Sequence, residues 1–139
     1  MEKLNVAIAD DNERMLNLLG EIVESDKDLK LVGKARNGED IYHIIRDKQP
    51  DVVLLDLIMP KMDGLEVLKQ MKLHNIKAKH IIATTPYLNE VMIAALGEHH
   101  VDYMMLQPFE PATLIDKLNI VQGFHQRRSY EEQITSNVI

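Results

Sequence analysis

The segment Asp51–Gly64, with the sequence DVVLLDLIMPKMDG, carries the strongest fold signal in the chain. Apolar side chains surround a single carboxylate, Asp56, and the run ends at Pro60. A short, unbroken segment rich in Val and Leu is typical of a strand buried on both faces, as in the centre of a parallel sheet. Because an ionised carboxylate is costly to bury, we expect Asp56 at the strand's carboxyl end, where ligands bind in open α/β sheets. For this segment alone, an ordinary Asp before a surface turn is an equal alternative.

The composition is that of one globular domain. The 139 residues are 45% hydrophobic and 27% charged, which suffices for a real core. The absence of cysteine excludes disulfides, thiolate metal sites and a cysteine nucleophile. The net charge of −6 argues against direct nucleic acid binding by this segment. We expect no membrane span and no signal peptide, and hence a cytoplasmic location.

Outside this segment, strand and helix patterns alternate along the chain. Helical spacing of apolar residues begins at Asn12, with Met15, Leu18, Leu19, Ile22 and Val23 on one face. Further helices are predicted from Asn37-Gly38, from Asp63-Gly64, at Asn89–Leu96 and from Pro111, and the strands are predicted at Leu4–Ala9, Leu29–Ala35, Val52–Asp56, His80–Thr85 and Asp102–Leu106. Five strands alternating with five helices predict a flavodoxin-like α/β fold, a doubly wound five-stranded parallel sheet of strand order 2-1-3-4-5.

Carboxylates follow two of the predicted strands. Asp10 and Asp11 end the first strand and Asp56 ends the third, so a parallel sheet would bring all three to one edge. Oxygen ligands without His or Cys favour Mg²⁺, or Mn²⁺, over Zn²⁺, and the metal would relieve the repulsion among the carboxylates. Each Asp alone could equally be a solvated turn or cap residue. A carboxylate beside a metal can also be a nucleophile for phosphoryl transfer, with the Thr85 hydroxyl as a donor.

The order of these residues resembles the receiver domain of two-component response regulators. The resemblance covers roughly residues 3 to 123 and includes Asp10-Asp11, the block LLDLIMPKMDG around Asp56, then Thr85, Tyr103 and the segment Gln107–Phe109. It implies a CheY-like form of the fold and a signalling role rather than a turnover enzyme. The expected domain is 1–123, and residues 124–139 are expected to be a polar tail or the start of a linker to an absent output domain.

The resemblance also implies roles for individual residues. Asp56 would accept a phosphoryl group from a histidine kinase or a histidine phosphotransfer protein. Asp10, Asp11, Asp56 and the backbone carbonyl of Ile58 would hold Mg²⁺. Thr85 would sense the phosphoryl group, and Tyr103 would be an aromatic switch whose state controls partner binding or a homodimer through the helix 4–strand 5–helix 5 face.

Within the family, three blocks most resemble the N-terminal receivers of stage-zero sporulation protein A. These blocks are VAIADDN, VVLLDLIMPKMDGLEVL and PFEPATL. They imply a role in sporulation-type transcriptional regulation.

One departure from the family concerns charge. The family has a lysine where this chain has Gln107, which offers neutral donors only. No nearby residue obviously replaces that cation, and Lys61, a candidate, is expected on the mobile side of the loop after the third strand. Two hypotheses follow: a working phospho-acceptor with weakened switching, or a degenerate receiver that acts as a phosphorylation-independent interaction module. A dehalogenase-type phosphatase would need an acid at position 58, which is Ile58, and no G-x-G-x-x-G motif supports a dinucleotide site.

Overall fold

The parallel sheet predicted from the sequence is present in the structure, a computed structural model that describes residues 3–123. All strand pairs are parallel, and the order across the sheet is β2-β1-β3-β4-β5. This order confirms the predicted flavodoxin-like, CheY-like topology. The strands are β1 Leu4–Ala9, β2 Leu29–Ala35, β3 Val52–Asp56, β4 His80–Thr85 and β5 Tyr103–Leu106.

Four helices begin in the same way, with an Asn or Asp side chain that caps the helix. In each case the cap oxygen accepts a hydrogen bond from the backbone N–H three residues later, which satisfies one of the donors left free in the first turn. The sequence predicts all four starts. The helices are α1 Glu13–Glu24 after Asn12, α2 Gly38–Lys48 after Asn37, α3 Gly64–Leu73 after Asp63 and α4 Glu90–Glu98 after Asn89.

The central strands are buried on both faces of the sheet. All five residues of β3 and all six of β4 are buried. One face carries Ala7, Val53, Leu55 and Ala83, and these pack with buried side chains of α2, α3 and α4 into one core cluster. Side chains alternate between the faces, so Val52, Leu54 and Asp56 belong to the opposite face.

The first helix differs from prediction in which side it buries. Leu16, Leu19 and Val23 are buried, whereas Leu18, predicted to face the core, is 40% exposed. Gly20 is buried on this side and lies close to β2, where an added Cβ would be 3.3 Å from Cδ of Lys34. The helix therefore approaches the sheet along its Leu16–Gly20 side.

The remaining described residues, 109–123, belong to a second compact unit that begins at Phe109. Its helix, α5, covers residues 111–123 and begins at Pro111, as predicted. Leu114, Leu118 and Val121 are buried, whereas Ile115 is 43% exposed. The tail or linker predicted at 124–139 lies outside the described residues. Within 3–123, no helix is both long enough and apolar enough to cross a bilayer.

Candidate functional site

Three carboxylates meet at the carboxyl edge of the sheet. Asp10 directly follows β1, Asp11 opens the connection to α1, and Asp56 is the last residue of β3. One oxygen from each carboxylate lies within 4.8 Å of the others. Asp10 and Asp56 are each only 3% exposed, whereas Asp11 is exposed. The cluster thus has two buried carboxylates, Asp10 and Asp56, and a solvent-accessible rim at the exposed Asp11.

Short loop hydrogen bonds orient the two buried carboxylates. Asp10 Oδ1 accepts a hydrogen bond of 2.9 Å from the Asn12 backbone N–H, and Asp56 Oδ1 accepts one of 3.0 Å from the Ile58 N–H. In both cases the loop folds back onto the side chain two residues earlier, the arrangement known as an Asx turn. Each carboxylate keeps a second oxygen that can bind a ligand.

The environment favours the protonated form of the buried carboxyls. Burial raises the pKa of Asp56 from 3.8 to about 7, and the neighbouring Asp10 and Asp11 add to the shift, against the Ile58 N–H, which lowers it. Burial also raises the pKa of Asp10, and Asp11 adds to that shift. The cluster carries more negative charge than its surroundings compensate, which is the condition in which a cation binds.

The chemistry of this donor set fits a hard divalent ion. All three side chains offer carboxylate oxygens, which suit Mg²⁺ and Mn²⁺ better than Zn²⁺. Two of the groups are buried and mutually repulsive, so the ion would relieve an existing electrostatic penalty. The backbone carbonyl of Ile58 as a further ligand stays a prediction.

Thr84, a residue that the sequence analysis does not select, borders Asp56. The two residues are paired in the register of β3 with β4, so their side chains share a face of the sheet. Thr84 Oγ1 accepts a hydrogen bond of 3.1 Å from Nε2 of Gln107. Gln107, at the position where the family was expected to have lysine, is therefore bound to the residue that is paired with Asp56 in the sheet. No sequence pattern indicates this pairing, because every residue of β4 is buried and polarity does not mark its faces.

Thr85 lies on the other face of the sheet, and its hydroxyl is already engaged. It is completely buried, and Oγ1 donates a hydrogen bond of 3.0 Å to the backbone carbonyl of Tyr87. Tyr103 is paired with Ile82, so its half-buried side chain lies on the face opposite to that of Thr85. On β5 it is Met104 that shares the face of Thr85 and packs against the core there. The predicted roles of Thr85 and Tyr103 stay predictions.

Comparison with known proteins assigns the chain to a family. Residues 6–119 match the family model described as the response regulator receiver domain. The chain belongs to this family. Receiver domains bind Mg²⁺ at an acidic pocket and interact with histidine kinases and phosphotransfer proteins. The acidic cluster at the edge of this sheet is thus the receiver's candidate metal pocket.

Individual relatives agree with the assignment. A protein-glutamate methylesterase/protein-glutamine glutaminase of Treponema denticola is 41% identical over 85 residues, which is 61% of this receiver and 23% of that protein. The receiver domain of the response regulator AraT of Geobacillus stearothermophilus is 27% identical, with a TM-score of 0.75 over 91% of this chain and 98% of that one. CheY in a CheX–CheY–BeF₃–Mg²⁺ complex of Borrelia burgdorferi is 24% identical, with a TM-score of 0.75 over 86% and 90% of the two chains.

None of these three is a sporulation regulator, so the narrower resemblance to stage-zero sporulation protein A gains no support from them. The curated relative is also much longer than the segment that this chain matches. What these comparisons have in common is the receiver domain itself.

Proposed function

We propose that this receiver accepts a phosphoryl group on Asp56 from a histidine kinase or a histidine phosphotransfer protein. The observation that carries the proposal is the cluster of Asp10, Asp11 and Asp56, with one oxygen of each within 4.8 Å. Asp56 has one oxygen bound to the Ile58 N–H and a second oxygen available for attack.

The reaction is a displacement at phosphorus. One Oδ of Asp56 forms a bond to the phosphorus as the bond to the donor breaks, which releases acetate from acetyl phosphate or a histidine nitrogen from a phosphohistidine. Asp56 is only 3% exposed, so most water is excluded from its carboxylate. The hydrogen bond from the Ile58 N–H fixes the orientation of the carboxylate for attack. A Mg²⁺ ion held by the three carboxylates would supply positive charge to the phosphoryl oxygens.

Gln107 would supply a neutral donor to the same group. Its amide donates to Thr84, which is paired with Asp56 in the sheet, and a phosphoryl oxygen on Asp56 would compete with Thr84 for this donor. A neutral hydrogen bond is roughly half as strong as one from an ammonium group, so the phosphorylated state would be held less firmly than with lysine.

Phosphorylation would change the conformation of the segment that begins at Thr85 and leads into α4. Thr84 shares the face of Asp56, so its hydroxyl is better placed than that of Thr85 to donate to a phosphoryl oxygen. A displacement of Thr84 would move its neighbour Thr85, whose hydroxyl holds the connection into α4 through its bond to the Tyr87 carbonyl. On this side of the sheet Tyr87, Val91 and Leu106 are 54%, 74% and 51% exposed, an apolar surface suited to a partner. The homodimer through the helix 4–strand 5–helix 5 face stays a prediction.

The decisive experiment is the intact mass of the protein after incubation with Mg²⁺ and acetyl phosphate or a phosphorylated histidine phosphotransfer protein. We expect a gain of one phosphoryl group that is lost with chelator and lost in Asp56→Asn. The control Asp63→Asn alters an exposed helix cap outside the cluster, and it should still be phosphorylated.

A folded, Mg²⁺-binding protein that gains no mass from either donor would refute the acceptor function. The chain would then be an interaction module whose binding does not depend on phosphorylation. Partner binding that is equal for the wild type and Asp56→Asn would support that second reading.

Substitutions of Gln107 test how much the missing charge matters. We expect Gln107→Lys to raise the fraction phosphorylated at a fixed, subsaturating donor concentration by about tenfold, because an ammonium group adds a charge-assisted hydrogen bond to the phosphoryl group. Gln107→Met keeps the length but loses the donors, so it should lie below the wild type. Equal yields for all three side chains, measured by intact mass, would contradict any role of this position in the reaction.

The narrower hypothesis of sporulation-type transcriptional regulation rests on the three sequence blocks alone. It requires an output domain beyond the matched segment, and the predicted linker at 124–139 lies outside the described residues. The cytoplasmic location of the protein and its position in a phosphorelay are hypotheses of the same kind.

A further inference from the structure

We propose that Arg36 binds the phosphoryl group of the incoming donor and supplies the positive charge that Gln107 lacks. This inference rests on the proposed function of Asp56 and adds a recognition residue to it. Arg36 directly follows β2, so the fold places it at the same edge of the sheet as the acidic cluster.

The guanidinium group lies over the loop that carries the cluster. Arg36 Nη2 donates a hydrogen bond of 3.4 Å to the backbone carbonyl of Asp11, and Nη1 lies 3.8 Å from the Glu13 carboxylate. Asp11 is the exposed member of the three-carboxylate cluster. A cation that contacts Asp11 is thus at the open rim through which a donor must approach Asp56.

A groove at this rim offers room for the donor. It has a volume of about 620 Å³ and is lined by Asp11, Lys34, Arg36, Asn37, Asp40 and Pro60. These residues come from the loops after β1 and β3, from the end of β2 with the loop that follows it, and from the first turn of α2. Of the two acidic residues, Asp40 is engaged by the Asn37 amide at 3.0 Å, and Asp11 belongs to the metal pocket. Arg36 and Lys34, whose Nζ also donates to Asn17 at 3.4 Å, therefore give the groove two cations next to Asp11, the exposed carboxylate of the cluster.

The contacts of Arg36 are too weak for a purely structural role. Both of its interactions are near the upper limit of length, and the Arg36 and Glu13 side chains are 59% and 71% exposed. Exposed ion pairs of this kind contribute little to stability. The planar guanidinium fork matches two phosphoryl oxygens at once, so a dianionic phosphoryl group would replace Glu13 as the better partner.

The two possible donors, an acyl phosphate and a phosphohistidine, both carry a phosphoryl group bonded to a leaving group. In both reactions the Asp56 oxygen forms the new bond to phosphorus, and the bond from phosphorus to acetate or to the histidine nitrogen breaks. The released imidazole nitrogen takes a proton from water, and acetate leaves as the anion. Arg36 stays protonated throughout and forms or breaks no covalent bond; its role is to bind and orient the phosphoryl group.

The test is the rate of Asp56 phosphorylation at subsaturating donor with constant Mg²⁺, followed by quenched intact mass. We expect Arg36→Gln to lower the second-order rate constant by about tenfold, and Arg36→Lys to recover part of it. Lys69→Gln removes one exposed cation from α3, outside the acidic cluster and the groove, and should leave the rate within twofold. Acetyl phosphate and a phosphorylated histidine phosphotransfer protein are tested separately, and a loss with only one of them assigns Arg36 to that donor.

Glu13→Gln separates donor binding from a structural role. If Arg36 binds the donor, removal of the Glu13 carboxylate, which competes with the donor for Arg36, should leave the rate of Asp56 phosphorylation equal or higher. If Arg36 merely anchors the β1–α1 loop through Glu13, Glu13→Gln should reproduce the loss seen in Arg36→Gln, and the proposal is overturned. Mg²⁺ affinity measured by calorimetry should be the same in the wild type and Arg36→Gln, since a displaced loop would weaken it.

Two outcomes distinguish this proposal from the function on which it rests. A wild type that is phosphorylated normally, with Arg36→Gln at the same rate for both donors, overturns the role of Arg36 alone. A wild type that accepts no phosphoryl group is examined with beryllofluoride and Mg²⁺. Binding that is weakened about tenfold in Arg36→Gln supports recognition of the phosphoryl group by Arg36, whereas absence of binding in the wild type overturns both proposals.

Discussion

Replacement of Gly38 by alanine is expected to lower the free energy of unfolding by about 3 kcal/mol or more. A Cβ at this position would lie 1.9 Å from the carbonyl oxygen of Met62 and 2.5 Å from its carbonyl carbon. Both atoms belong to the backbone and cannot rotate away, so either the start of α2 or the loop after β3 must move. The gain in helix propensity from Gly to Ala, about 1 kcal/mol at most, is too small to offset this.

The chain contains a matched control for this substitution. Gly97 lies in α4, is exposed, and would have no atom within 4 Å of an added Cβ. Gly97→Ala should therefore raise the free energy of unfolding by about 0.5 to 1 kcal/mol through helix propensity. Urea unfolding followed by far-UV circular dichroism measures both values. A Gly38→Ala protein as stable as the wild type would show that the contact between α2 and the loop relaxes freely.

The contact of Gly38 with Met62 also links fold to site. Met62 and the predicted metal ligand Ile58 both belong to the connection between β3 and α3, and the Met62 N–H donates to the Pro60 carbonyl at 2.8 Å. A side chain at position 38 would therefore push on the loop that orients Asp56. Phosphorylation of Gly38→Ala must therefore be compared with that of the wild type per folded molecule, because a loss of folded protein would also lower the yield.

The sequence was sufficient to predict the sheet and the place of the acidic cluster. Four strands agree with prediction at both ends, and an Asp or Pro marks one end of each: Asp10 after β1, Asp28 before β2, Asp51 before β3 and Pro86 after β4. The fifth strand starts at Tyr103, one residue later than predicted. Asp102 lies just before the strand, and its side-chain carboxylate accepts a hydrogen bond from the Ile81 N–H. Once the strands are parallel, Asp10 and Asp56 must meet at one edge, and no further information is needed.

The parts that could not be predicted depend on register and on long side chains. The choice between Thr84 and Thr85 as neighbour of Asp56 requires the β3–β4 register, and a strand buried on both faces gives no polarity pattern to reveal it. Position 36 appears in the sequence as one more charged loop residue. Its contact with Asp11 depends on how the β2–α2 and β1–α1 loops approach each other, which is a tertiary property.

The metal-free protein is expected to lose stability as the pH rises from about 4 to about 7. Burial raises the pKa of Asp56 from 3.8 to about 7 in the folded state, so the folded state binds a proton more tightly than the unfolded state. Stabilisation by that proton is fully present at low pH and is lost as the pH approaches the folded pKa. For Asp56 alone the shift corresponds to at most about 4 kcal/mol, and the raised pKa of Asp10 acts in the same direction.

The contribution of Asp56 is isolated by comparison with Asp56→Asn in the presence of chelator. Titrating groups outside the cluster contribute equally to both proteins, so the difference in unfolding free energy should be small near pH 4 and should favour Asp56→Asn by several kcal/mol at pH 8. Glu21→Gln, which removes an exposed charge from α1, should show no such growth with pH. A constant difference between the wild type and Asp56→Asn would mean that Asp56 ionises as easily as an exposed carboxyl.

Mg²⁺ should restore the stability that the wild type loses as the pH rises, but it should not do so in Asp56→Asn. An ion that binds only the folded, deprotonated cluster stabilises it by about 1.4 kcal/mol at ten times its dissociation constant. Protonation of Asp56 competes with the metal, so the same concentration of Mg²⁺ should stabilise far less at pH 5 than at pH 8. Equal stabilisation at both pH values, or in both proteins, would place the ion away from Asp56. The expected pattern would instead show that the burial that makes Asp56 costly to ionise is also what makes the site select for a cation.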